Sequence, residues 1–246
     1  MLRRLVLLLI GFVPGGAFAA GGSAHLDEAR VNVADTAALQ RGAGYFVNNC
    51  LGCHSLEYVR YNRLGEDLGL TEDQVTENLM YTGERIHDTM TVAMSAEDSA
   101  VWFGRTPPDL SLVARSRGED WIYTFLKSFY VDPSKPTGTN NTVLEGASMP
   151  HVLWEAQGMQ RAVYREETDE AGNPHKVFER FEQVSPGTMS PEEYDRMIRD
   201  ITTFLSYAGE PMQLERQQLG VRVLMFLLLF LILAFLLKKE IWKDVK

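Results

Sequence analysis

Two apolar segments without a polar face lie at opposite ends of the chain. The first, residues 5–13, follows Arg3 and Arg4 and is followed by small residues that end at Ala19. This order of basic, apolar and small residues is typical of a secretory signal peptide, and it predicts cleavage after Ala19, which removes residues 1–19. An uncleaved anchor is the alternative, but the apolar run is short for a membrane-spanning helix.

The second apolar segment, residues 223–237, contains no charged residue. Extended back past Arg222, whose long side chain can reach the membrane interface, it has the length of a short membrane-spanning helix. Several lysines follow, and basic residues favour the cytoplasmic side. We therefore expect a transmembrane anchor at 220–238, a cytoplasmic tail at 239–246 and the preceding domain outside. A buried core helix would be expected to carry a polar face.

Between these ends, apolar residues at helical spacing predict a mainly helical domain, residues 20–219. One helix is expected over 37–49, with Asp35 as its N-terminal cap. Gly42 and Gly44 lower the helix propensity of this segment, so we expect another element to approach closely at these glycines.

A second strongly indicated helix begins after Ser190 and continues to about residue 208. Ser190 and Glu193 form a capping-box pattern, and Pro191 suits the first helical position. Its apolar residues recur along one face. This helix is expected to pack against the core of the domain.

Weaker patterns predict the remaining elements. Short helices are expected over 71–80 and 120–130. Residues 168–174 are typical of a turn between two apolar pairs, at 163–164 and 177–178, which predicts a small hairpin. The fold class is therefore mainly α, with long loops and one C-terminal transmembrane helix.

The formal net charge is −9, and the acidic excess lies in residues 20–220 because both ends of the chain are basic. Such a surface excludes nucleic acid as a partner. It can attract a basic partner protein through long-range electrostatics. Ordinary solubility explains the same charge equally well.

The only two cysteines of the sequence, Cys50 and Cys53, are followed directly by His54. Cys-x-x-Cys-His is the attachment signature of c-type haem. Two thiols at this spacing can form thioethers with both vinyl groups of one porphyrin, and the adjacent histidine can supply an axial nitrogen to the iron. A zinc site would need further ligands, and a thiol redox site would need a strand–helix unit. We therefore expect one covalently attached haem c.

The second axial ligand must come from elsewhere in the chain. Most methionines fill cores, but Met189 stands in a loop directly before the strongly capped helix. A loop braced by a packed helix can hold a thioether against iron. Met149, in a loop before Pro150, is the alternative.

Several segments resemble the cytochrome c1 family. They are residues 38–43, 50–56, 60–64, 107–111, 118–123 and 188–190, together with Arg115 and Arg117. The resemblance covers nearly the whole chain after the signal, including a large insertion after the haem motif and a terminal anchor that small cytochromes c lack. Some members carry a further disulfide, which this chain lacks because both of its cysteines are assigned to haem.

The resemblance implies roles for individual residues. It implies that Met189 is the sixth ligand of the iron and that Arg115 pairs with a haem propionate. It also implies that the turn at Pro107 and Pro108 packs beside the histidine side of the haem, where a carbonyl can accept the ring N–H of His54. A surface cation and an ordinary turn are the alternative interpretations of Arg115 and Pro108.

The function implied by the resemblance is that of the haem subunit of ubiquinol–cytochrome c reductase, the respiratory cytochrome bc1 complex. Such a subunit accepts electrons from the Rieske iron–sulfur protein and passes them to a soluble or tethered cytochrome c. Quinol chemistry takes place on cytochrome b, against which the anchor packs in a dimeric complex. The expected location is the bacterial inner membrane, with the haem domain in the periplasm. The alternatives are a tethered cytochrome serving a terminal oxidase and a five-coordinate haem enzyme or sensor.

Overall fold

The computed structural model describes residues 25–168 and 172–244. The predicted signal peptide, residues 1–19, and Lys246 lie outside this part of the chain. The helices of the described part are α1 (Thr36–Asn49), α2 (Tyr61–Leu68), α3 (Glu72–Asn78), α4 (Ala96–Phe103), α5 (Val113–Arg117), α6 (Glu119–Lys127), α7 (Trp154–Gln157), α8 (Pro191–Gly209) and α9 (Gln213–Ile241). The mainly helical fold class is confirmed.

Short strands connect the helices. They are β1 (Leu56–Arg60), β2 (Thr89–Met90), β3 (Phe129–Val131), β4 (Thr139–Asn141), β5 (Gly158–Thr168) and β6 (Pro174–Pro186). Within the described residues they form three antiparallel pairs, β1 with β2, β3 with β4 and β5 with β6. The helix predicted over 120–130 is wrong at its end, because Phe129 pairs with Asn141 in a sheet and the helix stops at Lys127.

Helices α1 and α8 cross at the centre of the core. A Cβ added to Gly42 would lie 2.1 Å from the backbone oxygen of Asp200, so the predicted close approach is confirmed at Gly42. It is wrong at Gly44, where a Cβ would meet nothing within 4 Å. Phe46 of α1 and Phe204 of α8 are fully buried, and their ring centroids are 5.6 Å apart.

The two main helices begin where the capping patterns predict. The Asp35 side chain accepts a hydrogen bond from the N–H of Ala38 at 3.0 Å, and Ser190 and Glu193 form a complete capping box at the start of α8. Helix α1 ends at Asn49, so Cys50 follows its last turn. The haem motif is therefore attached to the end of a helix that is fixed in the core.

The hairpin β5–β6 is longer than the small hairpin that the sequence predicts. It pairs Gly158 with Pro186 at its base and Thr168 with Pro174 near its tip. The Gln160 side chain, which is buried, donates hydrogen bonds to the carbonyls of Lys127 and Phe129 and fastens the base of the hairpin to the domain. Most of its other residues are exposed and polar on both faces. The sequence therefore lacks the alternation of apolar and polar residues that would have predicted the full length of the strands.

Among the described residues, α9 is the one helix long and apolar enough to cross a membrane. It has 29 residues, and its most apolar window has a mean hydropathy of 2.8 with none of that window buried. The helix begins at Gln213, ahead of the apolar run, and its first turns consist mainly of polar residues. The core of the domain is therefore complete without α9.

Candidate functional site

A cavity of about 310 Å³ lies beside the C-terminal end of α1. Cys50, Cys53 and His54 line it together. Most of its remaining wall is apolar and comes from distant segments, among them Phe103, Leu110, Ile122, Phe125, Val152 and Leu205. The volume is at the lower end of the range for cofactor sites, and a mostly apolar wall with a few polar groups is typical of them.

The backbone after α1 continues as a tight turn that brings the three motif residues to one side. The amides of Cys53 and His54 both donate to the carbonyl of Cys50, at 2.9 and 2.8 Å. Both thiols are free. Burial, with a smaller contribution from Cys53, raises the pKa of the Cys50 thiol to about 12. Cys50 is therefore a neutral thiol beside a mainly apolar wall.

The imidazole of His54 is oriented by the segment that contains Pro108. Its Nδ1 lies 2.7 Å from the Pro108 carbonyl oxygen. A carbonyl only accepts, so Nδ1 carries the proton and Nε2 keeps a free lone pair. Burial lowers the pKa of His54, although the Pro108 hydrogen bond and the charge of Asp109 oppose this shift. The ring is therefore neutral at physiological pH and suited to bind a metal through Nε2.

The Pro108 segment is itself held against the haem motif. The amide of Leu110 donates to the Ser55 carbonyl at 2.9 Å, and the Asp109 carboxylate accepts from the amide of Glu57 at 2.9 Å. Pro107 and Pro108 both line the cavity. The predicted contact between this turn and the ring N–H of His54 is present in the structure.

The two candidate methionines lie in different surroundings. Met149 lines the cavity together with Ala147, Ser148 and Pro150. Met189 packs, partly buried, against the hydrophobic core. Its amide donates to the carbonyl of Ala156 at 3.1 Å, which holds the loop before α8 against α7. Met189 stays the predicted second ligand and Met149 the alternative.

The neighbouring arginines lie differently around the cavity. Arg115, the predicted propionate partner, is not among its lining residues, and a Cβ added to Gly209 at the end of α8 would lie 3.4 Å from the Arg115 Cγ. Arg117 and Arg105 do line the cavity. The Arg117 guanidinium lies 5.1 Å from the centroid of the Trp121 ring, which is also part of the wall.

Sequence reasoning missed Arg105, Arg117 and Trp121 as site residues, although one signal was present. Arg115 and Arg117 share a short helix, and residues two apart on a helix point in nearly opposite directions. Their Cβ atoms therefore face different ways, and the spacing alone does not say which of the two side chains lines the cavity.

Known proteins resemble this chain over nearly its whole length. The model of the Cytochrome C1 family matches residues 28–245. The chain is 49% identical to cytochrome c1 of Allochromatium vinosum, over 99% of this chain and 100% of that protein. It is 42% identical to the ammonia monooxygenase gamma subunit of Nitrosomonas europaea, over 98% of both chains. It is 27% identical to cytochrome c1 of Cereibacter sphaeroides, over 100% of this chain and 98% of that protein. The chain belongs to the cytochrome c1 family.

Proposed function

We propose that this chain binds one haem c covalently through Cys50 and Cys53, with His54 and Met189 as the axial ligands and Met149 as the alternative to Met189. The observation that carries the proposal is the meeting of two free thiols and a neutral imidazole at one mostly apolar cavity. These are the donor groups of a c-type haem site. The residues present therefore fit the group that the family name implies.

A haem bound in this cavity supplies an iron that alternates between the ferric and ferrous states. His54 and Met189 would hold the iron through a nitrogen and a thioether, and a thioether favours ferrous iron and raises the reduction potential. Two side-chain ligands of this kind would leave no coordination site for a substrate. We therefore propose one-electron transfer as the role of this subunit.

We propose that Arg115 pairs with a haem propionate, as the family resemblance implies, and that Arg105 and Arg117 are further cationic partners. Both line a cavity whose wall is otherwise mainly apolar. Carboxylates that enter such a cavity need cationic partners, and a guanidinium can bind a carboxylate with two hydrogen bonds. The Trp121 ring holds the Arg117 guanidinium on its face by a cation–π contact.

At the level of the complex, the subunit is proposed to accept electrons from a Rieske iron–sulfur protein and to pass them to a soluble or tethered cytochrome c. Quinol oxidation would take place on cytochrome b in a dimeric bc1 complex. In this proposal α9 is the single anchor, residues 20–219 form the periplasmic domain and residues 239–246 the cytoplasmic tail. Membership of the cytochrome c1 family and the long apolar helix support this assignment.

A matched pair of substitutions tests the ligand assignment. Met189→Leu is expected to lower the reduction potential by on the order of 100 mV or more, with haem still covalently attached, because the thioether is lost. It should also remove the methionine–iron charge-transfer band of the oxidised protein. Met149→Leu is the control and should leave both readouts unchanged, since leucine conserves the volume of a methionine that only packs. The opposite pattern would identify Met149 as the ligand.

The subunit composition of the complex extracted from membranes tests the wider proposal. Co-purification with a di-haem cytochrome b and an iron–sulfur protein is expected. Co-purification with a terminal oxidase would indicate the alternative of a tethered donor. A monooxygenase assembly would instead match the name of the Nitrosomonas europaea relative. Tight carbon monoxide binding by the reduced native protein would indicate a five-coordinate haem and contradict electron transfer as the sole role.

A further inference from the structure

The loop that carries Met189 lies against the C-terminal end of α7. The last carbonyls of a helix have no amide partner within the helix, so they need partners from elsewhere. In α7 these carbonyls belong to Glu155, Ala156 and Gln157. All three accept hydrogen bonds from the segment 183–189. The end of α7 and the loop before α8 are therefore one hydrogen-bonded unit.

The hydrogen bonds closest to the methionine join consecutive residues on both sides. The Glu155 carbonyl accepts from the amide of Thr188 at 2.8 Å and from its hydroxyl at 3.0 Å. The next carbonyl, that of Ala156, accepts from the amide of Met189 at 3.1 Å. The backbone of the loop is therefore fixed at the predicted ligand itself.

Two glycines allow this close contact. A Cβ added to Gly187 would lie 2.1 Å from the Ala156 carbonyl oxygen and 2.5 Å from the amide nitrogen of Gly158. A Cβ added to Gly158 would lie 2.2 Å from the Ser185 carbonyl oxygen and 2.5 Å from the amide nitrogen of Gly187. Gly158 also has a positive φ of 82°, which residues with a side chain rarely adopt. A side chain at either position would push the two backbones apart.

The end of α7 is connected through the chain to the wall of the cavity. Pro150 and Val152 line the cavity, and α7 begins shortly after them, at Trp154. Leu153, which joins the two, is 3% exposed and belongs to the hydrophobic core. A loop that is ordered in advance loses less conformational entropy when its side chain binds a ligand. Contact with α7 therefore supplies an ordered loop for Met189.

We propose that Gly158 and Gly187 are positioning residues for the axial methionine. Because they have no side chains, the loop can lie directly on the carbonyls of α7, which holds the backbone of Met189 in place before the thioether binds iron. The inference rests on the proposed role of Met189 as axial ligand, and it adds the contact that orders the loop of that ligand. Neither glycine is among the residues that line the cavity.

Added imidazole measures how firmly the thioether is bound. Imidazole binds the ferric haem only in molecules whose sixth axial position is free, so its apparent affinity is proportional to the detached fraction of the thioether. The affinity therefore reports a change in this fraction even where the thioether stays bound in most molecules. The protein measured is the membrane-bound holoprotein.

Gly187→Ala is the main test. Its methyl group would overlap the Ala156 carbonyl and push the loop away from α7, so the apparent affinity for imidazole is expected to rise by roughly thirtyfold. If this variant does not accumulate, Thr188→Val, which removes only the hydroxyl bond to Glu155, is measured instead and should raise the affinity by about fivefold. A native affinity in the variant that is measured would overturn the positioning role.

Gly65→Ala is the matched control. A Cβ at Gly65 would lie 2.9 Å from a methyl carbon of Val75, so this substitution also crowds a packed contact, but between α2 and α3. It should lower the unfolding temperature and leave the affinity for imidazole at its native value. An equal rise in Gly65→Ala and Gly187→Ala would show that general loss of packing, and not the position of the loop, sets the affinity.

A double substitution separates the inference from the proposed function. Met189→Leu removes the thioether and should raise the imidazole affinity to its limit, so that adding Gly187→Ala changes nothing further. A further rise would mean that Gly187 controls access to the haem, which refutes the positioning role and leaves the ligand assignment intact. If Met189→Leu itself leaves the affinity at its native value, Met189 is not the ligand, and the assignment and the inference both fail.

Discussion

Asp195 shows how a single residue of α8 joins this helix to α6. Its carboxylate accepts hydrogen bonds from Tyr123, from Lys127 at 2.9 Å and from Arg199 at 2.8 Å. Burial alone would raise the pKa of Asp195, but these hydrogen bonds outweigh burial and lower it to about 2. The residue thus stabilises the packing of α6 on α8 only while it is ionised.

Asp195→Asn is expected to lower the free energy of unfolding at pH 7 by on the order of 1 kcal/mol, because the side chain is about one-third exposed and partly screened. A carboxylate whose pKa is depressed on folding stabilises the protein above its ordinary pKa and loses this effect as the pH falls toward about 2. The difference between the two proteins should therefore shrink between about pH 4 and pH 2. Chemical denaturation across this range measures it. Glu77→Gln, on the exposed face of α3, should change nothing, and an equal loss in both variants would contradict the assignment.

The two neighbouring arginines provide a second test at residue scale. Arg117→Gln removes a cation from the cavity wall and should lower the reduction potential by on the order of 50 mV, because a nearby positive charge favours ferrous iron. Arg115→Gln, two residues away and outside the cavity lining, should change the potential by less unless Arg115 also pairs with a propionate. Redox titration of both variants decides between them. A larger effect of Arg115→Gln would support the role that the sequence resemblance implies for it.

At the scale of elements, the crossing of α1 and α8 decides where the haem motif lies. The guanidinium of Arg41 binds the buried carboxylate of Asp200 through two hydrogen bonds, at 2.6 and 3.0 Å, beside the point where Gly42 meets α8. Cys50 begins directly after α1 ends. The packing of one helix pair therefore fixes one wall of the cavity.

Gly42→Ala is expected to destabilise the protein by about 3 kcal/mol, since the new methyl group would overlap the backbone of Asp200 and the helices would have to separate. Gly44→Ala is a matched control in the same helix, with open space around the new methyl group. It should stabilise the protein by about 1 kcal/mol, because alanine favours the helix over glycine. Thermal unfolding of both variants gives the comparison. Equal effects at the two positions would contradict the close crossing.

At the scale of the whole molecule, the core and the anchor are separate. The buried hydrophobic residues come from the domain before α9, and none of the apolar window of α9 is buried. Glu210 and Arg216 form an ion pair at the junction of the two. The domain therefore has the contacts that it needs without the anchor.

Ending the chain after Met212 is expected to release the domain as a soluble protein with an unchanged haem spectrum and an unchanged reduction potential. The physical reason is that removal of α9 exposes no part of the core. Fractionation of cells followed by redox titration of the soluble fraction measures both. Loss of the methionine–iron band in the shortened protein would mean that the anchor supports the cavity.

The sequence by itself determined the parts that depend on local chemistry. Cys50, Cys53 and His54 are adjacent in the chain, so their chemistry follows from their spacing, and the caps of α1 and α8 are set by neighbouring residues. The long apolar helix follows from composition alone. The turn at Pro108 was predicted from the family resemblance, and its hydrogen bond to His54 is present in the structure.

Only the tertiary structure decided which side chains from distant segments line the cavity. Met149 and Met189 both stand in loops beside proline or a cap, and local patterns do not say how either loop crosses the domain. That depends on the hydrogen bond from Asn141 of β4 to the Phe125 carbonyl of α6, and on the hydrogen bond that holds the Met189 loop against α7. Both are contacts between residues far apart in sequence, and no short-range spacing encodes them.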